Sequence, residues 1–255
     1  VSPVDEGGRH FEAYDSRELQ KPERVLLKRF RGRWADMTML DIGVGSGRTS
    51  YTFAEIAKRY VGIDYSRVMV ELSRERIGED ETTRFLVCDA RHMAETLGER
   101  FDLVLFSFNG LDSVGHEDRL RILAEVRKVL KDDGHFLFSS HSLETLPLRA
   151  PRPKLQRLHP VRSAYRVAQS ARLAWKLERA NRSARGRERA GWAQLSDDAH
   201  DFQGLWYYVL PEYQVTQLGE AGFTVVEAYD VDGEIVDPRN PGRGPWLHYL
   251  CTPLS

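Results

Sequence analysis

Three carboxylates, each just after a short apolar run, and a set of alternate glycines define the chemistry this chain could do. Met39-Leu-Asp41-Ile-Gly43-Val-Gly45-Ser-Gly47 reads as a buried strand entering a turn. Its glycines accept positive φ and put no Cβ between backbone and ligand. Asp64 closes the next apolar run, Asp89 follows the third, and Ser107, Asn109 and Asp112 follow the fourth. In an open α/β sheet, ligands bind outside the carboxyl ends of the strands. A carboxylate after the second strand suits a ribose, because it can accept hydrogen bonds from both hydroxyls. One after the third could accept from an exocyclic amine such as that of adenine. Asp is also a common turn former and helix cap, so one alone would mean little. Three in register with the glycine turn favour a nucleotide-type cofactor.

The elements that must position these groups follow from periodicity. Helical spacing runs over 19–30, with Val25, Leu26 and Phe30 on one face, and over about 49–60. Strands are expected at 60–63, 84–87, 101–106 and 135–140, the last introduced by Asp132-Asp133-Gly134 as a turn. Strict strand–helix alternation over 38–141 argues for a parallel sheet. Pro211 and Glu212 open a helix that ends near Ala221-Gly222, and strands at 223–229 and 246–252 complete the sheet as antiparallel neighbours. Between those two strands, Pro238, Pro241, Gly242, Gly244 and Pro245 predict a long irregular loop.

Two cofactors fit such a site, a dinucleotide and S-adenosylmethionine. The dinucleotide fingerprint G-x-G-x-x-G needs a third glycine where this chain has Arg48. The chain instead resembles the class I S-adenosylmethionine-dependent methyltransferases. Asp41 with Gly43, Gly45 and Gly47 is similar to their first motif, and Gly62-Ile-Asp64-Tyr65-Ser66 to the second. Cys88-Asp89-Ala90 resembles the adenine-contacting turn, and Phe101-Asp-Leu-Val104 the strand before the active site. Val126 to Gly134 is similar to the helix and turn before the fifth strand, and Leu218 to Phe223 to the lead-in to the sixth.

The resemblance implies an α/β fold: a seven-stranded, mostly parallel Rossmann-like sheet with an antiparallel last strand, helices on both faces, and a basic helical insert between strands five and six. It implies S-adenosyl-L-methionine as cofactor, with S-adenosyl-L-homocysteine as product. Asp41 would shape the glycine loop and attract the methionine ammonium, and Asp64 would hold the ribose hydroxyls. Tyr65 and Ser107 are further cofactor candidates, Asp89 and Ala90 would meet the adenine, and Ser107, Phe108 and Asn109 would line the methyl-transfer channel. Tyr14 is a candidate lid residue, a surface aromatic over the first helix being the rival reading.

An alcohol acceptor would benefit from a base, and histidine is the commonest one. Among eight histidines, His141 is the best placed, one residue beyond strand five; a loop hydrogen bond is its rival role. Asp112 could be a base or an acceptor to an amine substrate. His200, just before Trp206-Tyr207-Tyr208, could close over the substrate. Asn109, Arg162, Arg166, Tyr207 and Tyr208 are the substrate candidates, and His116 is expected to open a helix. The Asn/Asp-Pro-Pro-Tyr/Phe motif used on exocyclic amines of bases is absent, so an oxygen or aliphatic nitrogen acceptor leads. No His/Cys spacing demands a metal.

Net charge is −1, but residues 148 to 190 carry thirteen Lys and Arg against two Glu, a net of +11, leaving −12 on the rest. Within this stretch Val161, Tyr165, Ala168, Ala171 and Trp175 recur at helical spacing beside Arg162, Arg166, Arg172 and Lys176. Three readings compete: a solvated helix whose apolar stripe packs on the acidic body, arginine clamps for an anionic substrate, or a contact with membrane or RNA. RNA comes last, since only Tyr165 and Trp175 interleave the basic residues.

At 255 residues one domain suffices, divided as 1–37 N-terminal lid and helix, 38–142 cofactor core, 143–204 basic insert, and 205–255 remainder of the sheet. No apolar run nears the roughly 20 residues that cross a bilayer, no secretory signal opens the chain, and Cys88 and Cys251 read as buried thiols; a cytoplasmic location is expected. The expectation is therefore a methyltransferase of a hydroxyl, or secondarily an amine, on a polar small molecule that is anionic or sugar-like. A membrane-surface enzyme acting on a lipid-linked or isoprenoid substrate and a non-catalytic cofactor-binding protein are the alternatives.

Overall fold

The computed structural model describes residues 17–145, 160–181, 190–197, 204–242 and 244–254. Its order is α1 (Lys21–Arg29), β1 (Thr38–Ile42), α2 (Ser50–Ile56), β2 (Arg59–Asp64), α3 (Arg67–Ile77), β3 (Thr83–Val87), α4 (Met93–Leu97), β4 (Phe101–Phe106), α5 (His116–Val129) and β5 (Leu130–Ser142). There follow α6 (Pro160–Asn181), β6 (Trp192–Leu195), β7 (Trp206–Val209), α7 (Pro211–Glu220), β8 (Phe223–Tyr229), β9 (Ile235–Val236) and β10 (Trp246–Pro253).

The strands pair as β3-β2-β1-β4-β5-β10-β8-β9, with β7 beside β5 and β6 beside β7. β1 to β5 are mutually parallel, and β10 runs antiparallel to both β5 and β8, as expected of the last strand. Among the described residues the sheet has ten strands where seven were expected. The additions are the β6–β7 hairpin, on the sequence of the insert and its exit, and the two-residue β9, inside the loop expected to be irregular.

Period-two alternation explains why helices cover both faces. Leu40, Ile42, Val104 and Phe106 join the core under α4, α5 and α7, with Met93, Ile122, Val126 and Leu218. Met39, Leu103 and Leu105 join the opposite core under α1, α2 and α3, with Leu26, Phe53 and Val70. Helix ends follow ordinary electrostatics: α5 opens with Glu117 and Asp118 and closes with Arg127 and Lys128, each sign opposing the adjacent end of the helix dipole.

β5 is longer than the sequence suggested. Pairing with β4 jumps from Phe101↔Leu130 to Leu103↔His135, so the Asp-Asp-Gly turn survives as a bulge inside one strand. At its other end β5 continues through His141, which therefore lies in the strand and not one residue beyond it.

The apolar stripe of α6 is a larger correction. Tyr165 is 64% exposed and Trp175 59%, while the buried side chain is Leu177, with Ser170 and Leu173 half-buried. The stripe of Tyr165, Ala168 and Trp175 faces away from the body, so the first reading of the insert does not hold. Periodicity shows that a helix has two faces; it does not show which one is covered.

Candidate functional site

The glycine turn leaves β1 with φ +68 at Gly43, +56 at Gly45 and +92 at Gly47. The Gly43 and Val44 N–H groups donate to Ile63 O at 2.8 and 3.1 Å, drawing the turn onto the end of β2. A Cβ built on Gly45 meets nothing within 4 Å, so open space lies above the turn where a side chain would intrude. Asp64 is buried at the rim of that space. Its Oδ2 accepts from Gly45 N at 3.0 Å and its Oδ1 from Ser66 N at 2.9 Å, and burial raises its pKa. Tyr65 is exposed beside it.

Asp41 lies beneath the turn. Its Oδ2 accepts from the Thr49 hydroxyl at 2.5 Å and the Tyr60 hydroxyl at 2.7 Å, fastening β1 to the turn and to β2. It is 1% exposed, and burial pushes its carboxyl up to about 6 against those two hydrogen bonds. The loop-shaping half of its expected role fits this geometry, whereas the ammonium contact would need a carboxylate open to the site.

Asp89 is committed locally. The backbone N–H and guanidinium of Arg91 bind it, the shortest contact being 2.5 Å, and hold its carboxyl below the usual range. Ala90, next to it, is half-buried. Arg48, in place of a third glycine, reaches back to α1: its two terminal nitrogens donate to the Glu23 carboxylate at 2.7 and 2.6 Å. Glu23 is fully buried and accepts from Gln20 N at 2.7 Å and from the Ser107 hydroxyl. Ser107 thus bonds α1 to the end of β4, and this cluster closes one side of the turn.

A second constellation forms where β4 and β5 end. Phe108 and Asn109 both take positive φ, +54 and +57, an uncommon strain for non-glycine residues. Asn109 N donates to the Ser139 hydroxyl at 2.7 Å, which holds that conformation. Asp112 is fully buried, and its Oδ2 accepts from His141 N at 2.7 Å and His141 Nδ1 at 2.8 Å. With the Nδ1 proton held there, Nε2 carries the lone pair, and Asn109 Nδ2 donates to it at 3.1 Å. Asn109 Oδ1 is buried with no partner among the described residues.

Arg119 completes this site from behind. Its fully buried guanidinium donates to Asp112 Oδ1 at 2.6 Å, Gln214 Oε1 at 2.6 Å, Gln217 Oε1 and Ser140 Oγ at 3.0 Å, and Leu111 O at 3.3 Å. All five N–H groups find acceptors, which makes a buried cation tolerable. Both oxygens of Asp112 are therefore engaged, so it orients His141 and is not itself a base facing substrate.

Aromatic rings surround His141. Tyr208, its register partner on β7, lies at 4.9 Å between ring centroids; Trp206, two residues earlier on the same face, and Trp246, its partner on β10, both lie at 6.3 Å. The Tyr208 hydroxyl donates to Asp197. Tyr207 alternates to the other face, where it stacks on Trp192 and pairs with His116 Nδ1 at 2.8 Å, so it is not a wall of this site. His116 opens α5, as expected.

Arg166 is exposed on α6, and Arg162 belongs to its first turn. Tyr14 and His200 lie outside the described residues. Sequence reasoning missed Arg119 and Trp246. Arg119 sits among Glu117, Asp118 and Arg121 in what reads as a solvated helix, and the facing of Trp246 depends on a strand register no local pattern carries. Among the described residues there is no cluster of His, Cys, Asp and Glu able to hold a metal ion, and no helix long and apolar enough to cross a membrane.

Comparison with known proteins adds likenesses to methyltransferases. A family model described as a methyltransferase domain matches residues 39–134. A demethylmenaquinone methyltransferase of Clavibacter sepedonicus is 30% identical over 125 residues, 49% of either chain. A malonyl-[acyl-carrier protein] O-methyltransferase of Geobacter sulfurreducens is 29% identical over 140 residues, 52% of this chain and 49% of that one. The chain spans about half the length of the curated relatives it matches. Among solved structures, an S-adenosylmethionine-dependent methyltransferase from Clostridium acetobutylicum superposes with a TM-score of 0.59 at 12% identity, covering 92% of each chain. The glycopeptide N-methyltransferase MtfA, solved with S-adenosyl-L-homocysteine, gives 0.55 at 17% identity over 91% of this chain and 89% of that one. These likenesses at low identity carry the fold, and the matched segment contains the glycine turn, Asp64 and Asp89. Residues 39–134 thus match a methyltransferase domain, and the fold around them is that of the solved methyltransferases.

Proposed function

We propose that this chain is an S-adenosylmethionine-dependent methyltransferase that methylates a hydroxyl of a small molecule, with His141 as general base. The observation that carries the reading is the Asp112–His141 pair, whose Nε2, bonded by Asn109 Nδ2, stands among three aromatic walls. The named relatives act on different atoms, so their names do not choose the acceptor; a histidine positioned as a base supports a hydroxyl. An amine that binds unprotonated carries its own lone pair, whereas a hydroxyl gains from losing its proton as it attacks.

The cofactor fits the residues present. Open space above Gly45 and the carboxylate of Asp64 at its rim suit an adenosyl group, with Tyr65 beside it and Ala90 at the next strand end. When bound, S-adenosylmethionine supplies an electrophilic methyl on a sulfonium. The rest falls to the chain. His141 Nε2 takes the hydroxyl proton, with Asn109 giving up its hydrogen bond to that nitrogen. Asp112 holds the imidazole in one tautomer and stabilises the charge it gains, and Arg119 fixes Asp112. Trp206, Tyr208 and Trp246 exclude water from the reacting atoms.

The test is transfer of labelled methyl from S-adenosylmethionine to cell extract separated into small-molecule, lipid and RNA fractions, then analysis of the labelled product. An O-methyl product formed by the wild type and lost with His141→Gln supports the reading. An N- or C-methyl product, or label that survives His141→Gln, contradicts it.

A further inference from the structure

α6 turns its aromatic and basic side to solvent. Tyr165, Ala168, Arg172, Trp175 and Arg179 follow one another at steps of three and four, on one face, and all are exposed. Arg179 lies over the Trp175 indole, its Cζ 5.3 Å from the ring centroid. Over 164–179 the helix carries Arg166, Arg172, Lys176 and Arg179 against Glu178 alone. At 1.5 Å per residue, 22 residues make a rod about 33 Å long.

The inner side is narrow but fixed. Leu177 is buried, and Asn181 locks to the residue that follows β6 through two hydrogen bonds, Asn181 Nδ2 to Ser196 O at 2.8 Å and Ser196 N to Asn181 Oδ1 at 2.9 Å. β6 pairs with β7, the strand that brings Trp206 and Tyr208 to His141. Whatever α6 rests on is thus coupled through one hairpin to the aromatic walls of the site.

We propose that the outer face of α6 docks the chain on an anionic phospholipid surface, so that the acceptor reaches His141 from the bilayer. Amphipathic rings with arginine beside them are the side chains that settle at a membrane interface, where the rings enter the headgroup boundary and the cations meet lipid phosphate. The same face of a second copy would oppose like charges. A single-stranded nucleic acid would need a groove of stacking rings, and this face is convex with two rings ten residues apart. Docking stands independently of the catalytic assignment; delivery to His141 rests on the proposed function.

The test is sedimentation of the full chain with phosphatidylcholine vesicles with and without phosphatidylglycerol. The wild type is expected to sediment with the anionic vesicles only, less so as salt screens the charges. Tyr165→Ser with Trp175→Ser should weaken partitioning about tenfold or more, and Arg172→Glu with Arg179→Glu should abolish it. Affinity for S-adenosylmethionine and the thermal midpoint, measured on the same variants, should match the wild type. Since vesicle binding needs no turnover, it fails or succeeds separately from the catalytic reading. Three results overturn the proposal: a wild type left in the supernatant, variants that partition like the wild type, or a face that instead mediates self-association or RNA retention.

Discussion

One carboxylate oxygen of Asp112, Oδ2, binds His141 twice, through the backbone N–H at 2.7 Å and ring Nδ1 at 2.8 Å. The first contact fixes where β5 stands against the loop after β4. The second fixes the tautomer and leaves Nε2 as the basic atom. Structure and chemistry meet in one atom.

Removing either partner should slow methyl transfer without disturbing the cofactor. His141→Gln and Asp112→Asn are each expected to lower kcat by about 10²–10⁴, the usual contribution of a positioned base. Affinity for S-adenosylmethionine, read by calorimetry, should stay at the wild-type value. Equal loss of affinity would move these residues from the chemistry to the cofactor pocket.

Arg119 should matter more to stability than any surface arginine. Arg119→Met leaves Asp112 buried beside an apolar chain and should cost about 3–5 kcal/mol in denaturant unfolding. Adding Asp112→Asn removes the stranded charge, so the double variant should be less destabilised than the two single losses added together. Additive losses would argue against the buried ion pair.

Two buried groups make opposite demands on pH. Asp41 keeps its proton up to about 6 when folded, against an ordinary 3.8, so its contribution is lost as pH rises between those values. His248, buried with Nε2 donating to Gln20 Oε1 at 2.9 Å, is pushed down to about 4 from 6.5, so its contribution is lost as pH falls across that range. Each amounts to about 3 kcal/mol, and they largely offset one another between pH 4 and 6. Asp41→Asn should therefore make stability fall on acidification below about 6, and His248→Gln should make it rise. Urea titrations across that range measure both slopes.

The glycines separate packing from ligand space. A Cβ on Gly110 would lie 2.3 Å from Phe106 Cε2, so Gly110→Ala should cost about 1–3 kcal/mol. Gly45→Ala meets no neighbour and should cost only the positive-φ strain, about 1–2 kcal/mol, yet should weaken cofactor affinity strongly because the methyl enters the open space. Thermal shift and calorimetry on both variants should rank them in opposite orders.

The strand ends were legible because apolar runs and the polar residues closing them are local: Asp41, Asp64, Asn109 and Asp112 all fall where the pattern places them. His141 was found for the same reason, although its strand runs one residue past it. What lay outside reach depends on long-range pairing. The β6–β7 hairpin consists of two four-residue strands, too short for a pattern to declare them, and only its register separates Tyr208, facing His141, from Tyr207, facing His116. Arg119 is buried because residues from three segments of the chain supply its acceptors.

The measurement that tests the central claim most directly is binding of S-adenosylmethionine to the wild type and to Asp64→Ala, with a nicotinamide dinucleotide as the control ligand. The account predicts that the wild type binds S-adenosylmethionine and not the dinucleotide, and that Asp64→Ala weakens binding at least about tenfold, the loss of one charge-assisted hydrogen-bonding group. No binding by a folded wild type, or equal affinity in the variant, would contradict it.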